Sequence, residues 1–465
     1  MICVALKGET AEEMVAGATA AVSAGARMVE FRIDSLKNPS AESLQKLSAV
    51  NAVKIATFKG RSMKLAEGAD AASALRSFDY IDIGLEDAGT IQLPSSLRSK
   101  LIVSYHGSIT SHDELKSAVR KELQAGAIAK CVGTRGSFAE ASLLLNAADS
   151  SERNRVMAFS TGGAGLLTRL ASLRNGAPWA YASLSDEERT ADGQPVFSDL
   201  HEMLNGQVNV LIGADVSRSP SPVLQNYALA KNGLRGRYTA MSIQSREELA
   251  PFFECARAAG VKGVNITMPY KRDAVGLMSD MDIQAGRIGA INTVVIDGDR
   301  MSGYNTDYTA VSQLISGMPR GRALLVGSGG AARSAAAALR GFDMTIISRN
   351  AAGSSDIASS LGFENGRLEP GGSYDVVINC TPIGMDGADG SLPEGVASCT
   401  FRTVIDFVYS RRKTPYRLLA EKQSCRFIGG ADILARQAAA SFKLWTGMDA
   451  PLDGMLSILR KEGYN

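Results

Sequence analysis

Cysteine is sparse and scattered. The six residues (Cys3, Cys131, Cys255, Cys380, Cys399, Cys425) include no closely spaced pair, which argues against a zinc ribbon or a CxxC redox motif and leaves buried, reduced thiols. Histidine is scarcer, with three in 465 residues, and no metal site is expected from them. There is no surplus of either charge: 50 Lys and Arg against 48 Asp and Glu give a net +2, so nothing global calls for nucleic acid or a membrane surface as partner. No apolar run approaches the roughly 20 residues needed to span a bilayer. Met1-Ile-Cys-Val-Ala-Leu6 opens directly into a strand, so the expected location is the cytoplasm. What is present, 45% hydrophobic and 21% charged residues, is the balance of a soluble globular chain, and its length exceeds what one core usually supports. Two or three domains are expected.

Over residues 1–205, short apolar runs alternate with amphipathic, alanine-rich segments. Strands are predicted at Cys3–Leu6, Met28–Ile33, Val53–Phe58, Tyr80–Leu85, Leu101–Tyr105, Ile128–Val132, Val156–Ser160 and Trp179–Ser183. Eight strands alternating with helices make an α/β domain of the (β/α)8 TIM-barrel kind, at the small end for that fold. Barrel sites gather at the carboxyl ends of the strands, and the polar residues follow that rule: Glu30-Phe-Arg32, Thr57-Phe-Lys59, Ser104-Tyr-His106, and Arg169 after a glycine-rich loop.

Lys130 lies within the apolar run Ala127-Ile-Ala-Lys-Cys-Val132. Two readings are open. Desolvation would depress its pKa and leave a nucleophilic amine able to form a Schiff base with a ketone; alternatively the side chain snorkels to the rim or pairs with Glu30. His106, at the end of the preceding strand, favours the first, because an imidazole beside an iminium can abstract the proton that becomes acidic there. His112 and His201 receive no role.

These residues, with Thr168-Arg169 and Thr190-Ala-Asp-Gly-Gln194, resemble type I 3-dehydroquinate dehydratase over the whole segment. The resemblance implies an imine on Lys130 and proton transfer by His106. It further implies a carboxylate held by Arg169 and Gln194 with Thr190 nearby, and ring hydroxyls met by Glu30 and Arg32. The chain departs from the family at Lys59, where an arginine is usual, and the nearest counterpart of the Glu-Gly-Gly run is Glu67 in an altered context. Lysine lacks the bidentate guanidinium fork.

A second start is visible at Asn209–Pro222, an apolar strand running into Ser219-Pro-Ser-Pro222. Further on, a strand enters Gly327-x-Gly329-x-x-Ala332 and then an alanine-rich helix, the arrangement that presents backbone amides to a pyrophosphate. The next strand ends in Ser348-Arg349-Asn350 with no carboxylate to accept from a ribose hydroxyl, which selects NADP over NAD, unless Arg349 is an ordinary solvated residue. Candidate cofactor contacts are Gly327, Gly329, Gly330 and Ala331 in the turn, Ser348 and Arg349 at the 2′ position, Thr381, Gly384 and Met385 in the next loop, and Gly430.

Reduction of a carbonyl needs a proton donor beside it. Gly263–Lys271 and Gly303–Asp307 supply a lysine and a carboxylate, with Gly289-Ala-Ile-Asn-Thr293 between them, although each run taken alone reads first as ordinary turn chemistry. Together they resemble shikimate dehydrogenase. That resemblance implies Lys271 and Asp307 as the catalytic pair and Ser219 and Ser221 as the carboxylate grip. Thr267, Asn292, Asp307 and Gln437 would meet ring hydroxyls, with Tyr409 close by and NADP as cofactor. Histidines common in that family are replaced by Arg218 and Gln225. The expected layout is a dehydratase barrel (1–205), a substrate-binding domain (206–312), a Rossmann NADP-binding domain (313–428) and helices returning to the substrate domain (429–465). The expected substrates are 3-dehydroquinate and 3-dehydroshikimate. The alternative is a quinate or other polyol dehydrogenase whose barrel is a non-catalytic scaffold. Oligomeric state is not fixed by the sequence.

Overall fold

The computed structural model describes residues 1–62, 73–89, 94–385 and 390–465; Glu67 lies outside the described residues. The chain forms two compact units, one of Met1–Gln207 with Glu247–Val261, the other of Val208–Arg246 with Lys262–Asn465.

The first unit is built on eight parallel strands: β1 (Ile2–Leu6), β2 (Met28–Arg32), β3 (Val53–Thr57), β4 (Tyr80–Gly84), β5 (Leu101–Gly107), β6 (Ile128–Gly133), β7 (Val156–Ser160) and β8 (Ala180–Ala182). Each lies within two residues of its expected limits. The ladder runs β7-β6-β5-β4-β3-β2-β1-β8, and its two end strands meet through the rings of Phe159 and Tyr181, 6.0 Å apart. Every residue of β1, β6 and β7 is buried. Strands covered on one face by helices and on the other by the barrel interior have no solvated side, hence continuous apolar runs instead of alternation. Thr10, Ser40, Ser111 and Ser137 start four of the outer helices, each accepting from the amide three residues on. Cys3, Met28, Ile55, Ile102, Met157 and Trp179 fill the interior floor. Helix Leu249–Ala258 belongs to this unit as well. Its Phe252 sets an edge on Phe138 at 5.2 Å, and the Phe138 amide donates to Glu248 at 3.1 Å.

The second unit holds two sheets. A mixed one has the order β10-β9-β11-β13-β14-β12, from β9 (Gln207–Gly213), β10 (Gly236–Ser242), β11 (Gly263–Ile266), β12 (Asp280–Met281), β13 (Thr293–Asp297) and β14 (Arg300–Tyr304). The other is parallel, β16-β15-β17-β18-β19, from β15 (Arg322–Val326), β16 (Asp343–Ile347), β17 (Ser373–Asn379), β18 (Thr400–Asp406) and β19 (Arg426–Ile428). Helices cover both its faces: Ala332, Ala335 and Ile357 pack on one, Tyr416, Leu419 and Ala420 on the other. The strand order reverses between β15 and β17, and a doubly wound sheet opens a crevice at the carboxyl ends there. Helix Gly430–Thr446 then returns to the mixed sheet, where Trp445 Nε1 donates to the Val294 carbonyl at 3.0 Å. A last helix, Leu452–Lys461, packs against it through Met455 and Leu459. No helix among the described residues is long and apolar enough to cross a membrane.

Candidate active sites

Inside the barrel, side chains from alternate strands share one layer: Glu30 on β2, Asp82 on β4, Lys130 on β6 and Tyr181 on β8. Lys130 Nζ donates to Asp82 Oδ2 at 2.6 Å and to Glu30 Oε1 at 3.4 Å, and stands 4.3 Å from the Tyr181 ring centre. Both carboxylates are themselves fixed. Thr57 Oγ1 donates to Glu30 Oε1 at 2.7 Å, and the Ser104 hydroxyl donates to Asp82 Oδ1. The expected depression of the Lys130 pKa is therefore corrected. Burial does pull it down, but the negative charges of Asp82 and Glu30 outweigh burial and the net direction is upward. The lysine rests as an ammonium in a carboxylate-lined layer; it does not snorkel, since the whole residue is only 6% exposed.

His106 lies at the end of β5, and its Nε2 is 3.3 Å from Lys59 Nζ. Burial, reinforced by Lys130, Lys59 and Arg32, lowers its pKa to about 3, so the ring is neutral and Lys59 is the donor. Lys59 is itself lowered by burial and by Lys130 and Arg32. Arg32 is clamped by Asp34 through two bonds of 2.9 and 2.6 Å, which raise its pKa further. Across the mouth, Arg169 is 1% exposed and its Nη1 donates to the carbonyls of Gly165 at 2.8 Å and Ser160 at 3.1 Å, with the guanidinium over Phe159. No carboxylate pairs with it among the described residues, and burial lowers its pKa to about 9. Gln194 Oε1 accepts from the Thr190 amide and hydroxyl at 2.8 and 3.0 Å. The loops carrying these residues cross so closely that a Cβ on Gly193, whose φ is +68°, would meet the Gly162 carbonyl oxygen at 1.9 Å. Only glycine closes the mouth this way.

In the second unit a cleft of about 890 Å³ is lined by Ser219, Ser221, Thr267, Lys271, Asn292, Asp307, Ala331, Thr381, Met385, Tyr409, Gly430 and Gln437, all singled out from sequence. Lys271 Nζ forms an ion pair with Asp307 Oδ2, while Asn292 Nδ2 donates to Asp307 Oδ1 at 3.0 Å. Ser219 and Ser221 share a hydroxyl bond of 3.1 Å. Burial raises the Tyr409 pKa, with Tyr464 adding and a bond to Ser219 opposing. A buried polar floor holds these groups. Thr306 N donates to Asn292 Oδ1 at 2.7 Å, Thr306 Oγ1 to Gln437 Oε1 at 3.4 Å, and Asn265 Nδ2 to Ser441 Oγ at 3.0 Å. Gln225 is turned away, its Nε2 on the Ala438 carbonyl at 2.9 Å, whereas Arg218 lines the cleft.

The dinucleotide turn borders the same cleft. Gly329 caps helix Gly330–Ala338, Gly327 has φ +119°, and a Cβ on Gly330 would come within 3.2 Å of the Lys271 side chain. That turn fits a pyrophosphate, and Lys271 stands beside it. Thr381 Oγ1 donates to Asn379 Oδ1 at 2.6 Å, and Asn379 Nδ2 donates to Asp406 Oδ1 at 2.8 Å. Burial raises the Asp406 pKa to about 6. Gly384, at φ +92°, shapes this loop. The Ser348 hydroxyl is engaged by Ser354 at 2.8 Å and the Asn350 carbonyl at 2.6 Å, while Arg349 stands exposed.

Sequence reasoning missed Asp82, Thr306 and Ser441. Asp82 carried the same signal as Lys130, an ionisable residue inside the apolar run Tyr80-Ile-Asp-Ile83.

Residues 2–208 match the family model for type I 3-dehydroquinase, 211–294 that for the shikimate dehydrogenase substrate binding domain, and 430–460 that for the shikimate 5′-dehydrogenase C-terminal domain. The shikimate dehydrogenase (NADP(+)) of Anaeromyxobacter sp. (strain K) is 34% identical over 271 residues, 54% of this chain and 96% of the relative. That of Archaeoglobus fulgidus is 33% identical over 257 residues, 51% of this chain and 92% of the relative. The crystal structure of shikimate 5-dehydrogenase from Thermus thermophilus in complex with NADP(H) and shikimate aligns with a TM-score of 0.51 at 31% identity, covering 55% of this chain and 99% of that one. The chain belongs to the shikimate dehydrogenase family, carries a type I 3-dehydroquinase domain ahead of that part, and is a bifunctional enzyme of the shikimate pathway.

Proposed function

We propose that the barrel converts 3-dehydroquinate to 3-dehydroshikimate through an imine on Lys130, and that the second unit reduces the product to shikimate with NADPH. One observation carries the first assignment: Lys130 Nζ sits inside the barrel mouth held by two carboxylates, with the neutral ring of His106 at the end of the adjacent strand. Neutral His106 takes the proton made acidic by the iminium and returns it to the departing hydroxyl. Arg169, a buried cation bonded to carbonyls, attracts the substrate carboxylate, with Gln194 and Thr190 completing that end. Glu30, Arg32 and Lys59 face the ring hydroxyls.

In the cleft, Ser219 and Ser221 take the carboxylate, and Thr267, Asn292, Asp307, Gln437 and Tyr409 surround the ring. NADPH, when bound, supplies the hydride. Lys271 donates the proton to the developing alkoxide, and Asp307 fixes the ammonium by its ion pair. The exposed Arg349 suits a 2′-phosphate, and Gly327, Gly329, Gly330 and Ala331 the pyrophosphate. Thr381, Gly384, Met385 and Gly430 would border the nicotinamide, and Ser348 would join Arg349 at the 2′ position. The division at 1–205, 206–312, 313–428 and 429–465 is part of the proposal, as is a cytoplasmic setting in which the six free thiols stay reduced.

A coupled assay tests both halves: 3-dehydroquinate is supplied and NADPH loss followed. Lys130→Ala should abolish the signal and 3-dehydroshikimate restore it. Lys271→Ala should lower kcat on 3-dehydroshikimate far more than it raises KM; a large rise in KM at unchanged kcat would contradict the proton-donor role.

A further inference from the structure

Resting on the reading of Lys130 as the imine-forming residue, we propose that Asp82 is a further catalytic residue of the dehydratase, the group that takes the proton from Lys130 to release the nucleophile and gives it back to expel water. An ammonium has no lone pair and cannot attack a ketone, so a buried lysine surrounded by negative charge needs an internal acceptor before it reacts. The geometry singles one out. Asp82 Oδ2 is 2.6 Å from Lys130 Nζ, against 3.4 Å for Glu30 Oε1, and the Glu30 oxygen already accepts from Thr57. Ser104 occupies the other Asp82 oxygen and so aims Oδ2 at the amine. His106 contacts Lys59 through Nε2 and makes no bond to the Lys130 amine.

The groups facing the Lys130 ammonium are Glu30 on β2, Asp82 on β4 and Tyr181 on β8. Cys3 on β1, Arg32, Lys59, His106 and, from the helix His112–Ala125 packed on the strands, Glu122 lie close enough to be felt electrostatically within this cluster. Asp82, itself 1% exposed, is shielded from water.

The step balances without any co-reactant. The proton passes from Lys130 Nζ to Asp82 Oδ2, leaving a neutral amine and a carboxylic acid. The nitrogen lone pair forms the bond to the ketone carbon while the carbonyl oxygen, taking the π electrons, acquires a proton released by nitrogen. The Asp82 acid then protonates the carbinolamine hydroxyl, the C–O bond breaks, and water leaves an iminium opposite a regenerated Asp82 carboxylate. One counter-ion thus serves the ammonium before the reaction and the iminium after it.

The test is rapid quenching of the full-length protein with 3-dehydroquinate into borohydride, the Lys130 adduct being counted by mass. Asp82→Asn keeps the shape and the acceptor oxygen but cannot carry the proton; adduct formation should slow by about a hundredfold, in the range of a general acid–base group, while reduction of 3-dehydroshikimate by the same protein stays unchanged. In the wild type, a proton shared within the pair makes the amine fraction independent of solvent, so the trapping rate should be flat from about pH 5.5 to 7, below the titration of Glu122 at about 8. Trapping by Asp82→Asn at the wild-type rate overturns the proposal. So does a wild-type rate that climbs about tenfold per pH unit, which would mean that solvent removes the proton; this second measurement needs no variant and decides the matter if Asp82→Asn fails to fold. Absence of any wild-type adduct would instead remove the Lys130 reading itself.

Discussion

Gly430→Ala is the smallest change that should disable one activity and spare the other. A Cβ at this position would lie 2.4 Å from the Tyr409 amide nitrogen and the Val408 carbonyl carbon and 2.6 Å from the Val408 carbonyl oxygen. All three are backbone atoms at the exit of β18, so no side chain can swing aside. Restoring an ordinary contact of about 3.4–4.0 Å requires a shift of roughly 1 Å or more between the first turn of helix Gly430–Thr446 and the strand exit. That helix carries Gln437 into the cleft and Ser441 into its polar floor, and the strand exit carries Tyr409. Overpacking of this kind costs about 1–3 kcal/mol of stability, and a displacement of about 1 Å in a positioning element costs on the order of a hundredfold in rate. We expect kcat/KM for 3-dehydroshikimate to fall about 30- to 100-fold, with dehydration of 3-dehydroquinate by the same preparation serving as the internal control. Reduction within about threefold of wild type would refute the reasoning, because it would show that the close approach of helix and strand places nothing the reaction needs.

Two further outcomes follow from named groups. Glu122 is buried, accepts from the Tyr105 amide at 2.8 Å, leaves Oε2 without a partner, and has its pKa raised from 4.5 to about 8 by burial. Between those values the folded chain holds a proton that the unfolded chain releases. Stability is therefore full below about pH 4.5 and declines as pH rises through 8, by a few kcal/mol from this group. Glu122→Gln should be the more stable form in denaturant titrations at pH 8 and lose that advantage at pH 4.5; an unchanged difference across this range would exclude Glu122 as the source. Arg349→Ala should raise KM for NADPH about 10- to 100-fold while leaving KM for NADH nearly unchanged, as expected for loss of charge-assisted bonds to a 2′-phosphate; equal effects on both cofactors would place Arg349 elsewhere.

The eight barrel strands were legible because a strand buried on both faces must be written as a short apolar run, and polar letters at the ends of such runs mark the mouth. The dehydrogenase groups were legible because turn residues that also carry chemistry recur in one order, from Ser219 to Gln437, and the fold gathers them into one cleft. The protonation of Lys130 was not legible. A lysine in an apolar strand looks desolvated, and only the gathering of the alternate strands β2, β4, β6 and β8 around one interior shows that Glu30 and Asp82 share its layer. Asp82 was overlooked for the same reason: one carboxylate in Tyr80–Gly84 has no visible partner until the fold brings the Ser104 hydroxyl and the Lys130 amine against it. The polar floor around Ser441 joins residues 176 positions apart, as in Asn265 to Ser441, and no local pattern carries such a pairing.

The barrel's compact unit draws on two separate stretches of chain, the second being Glu247–Val261 with its buried Leu249, Phe252 and Phe253. That second stretch falls inside the span matched by the shikimate dehydrogenase substrate binding domain. A gene cut after residue 205 would therefore take a packed aromatic helix away from the first product and leave apolar side chains without their neighbours in both fragments. The two activities share one polypeptide in a way that an expression vector cannot undo with a single stop codon, and independent production of the halves calls for a re-engineered surface on each.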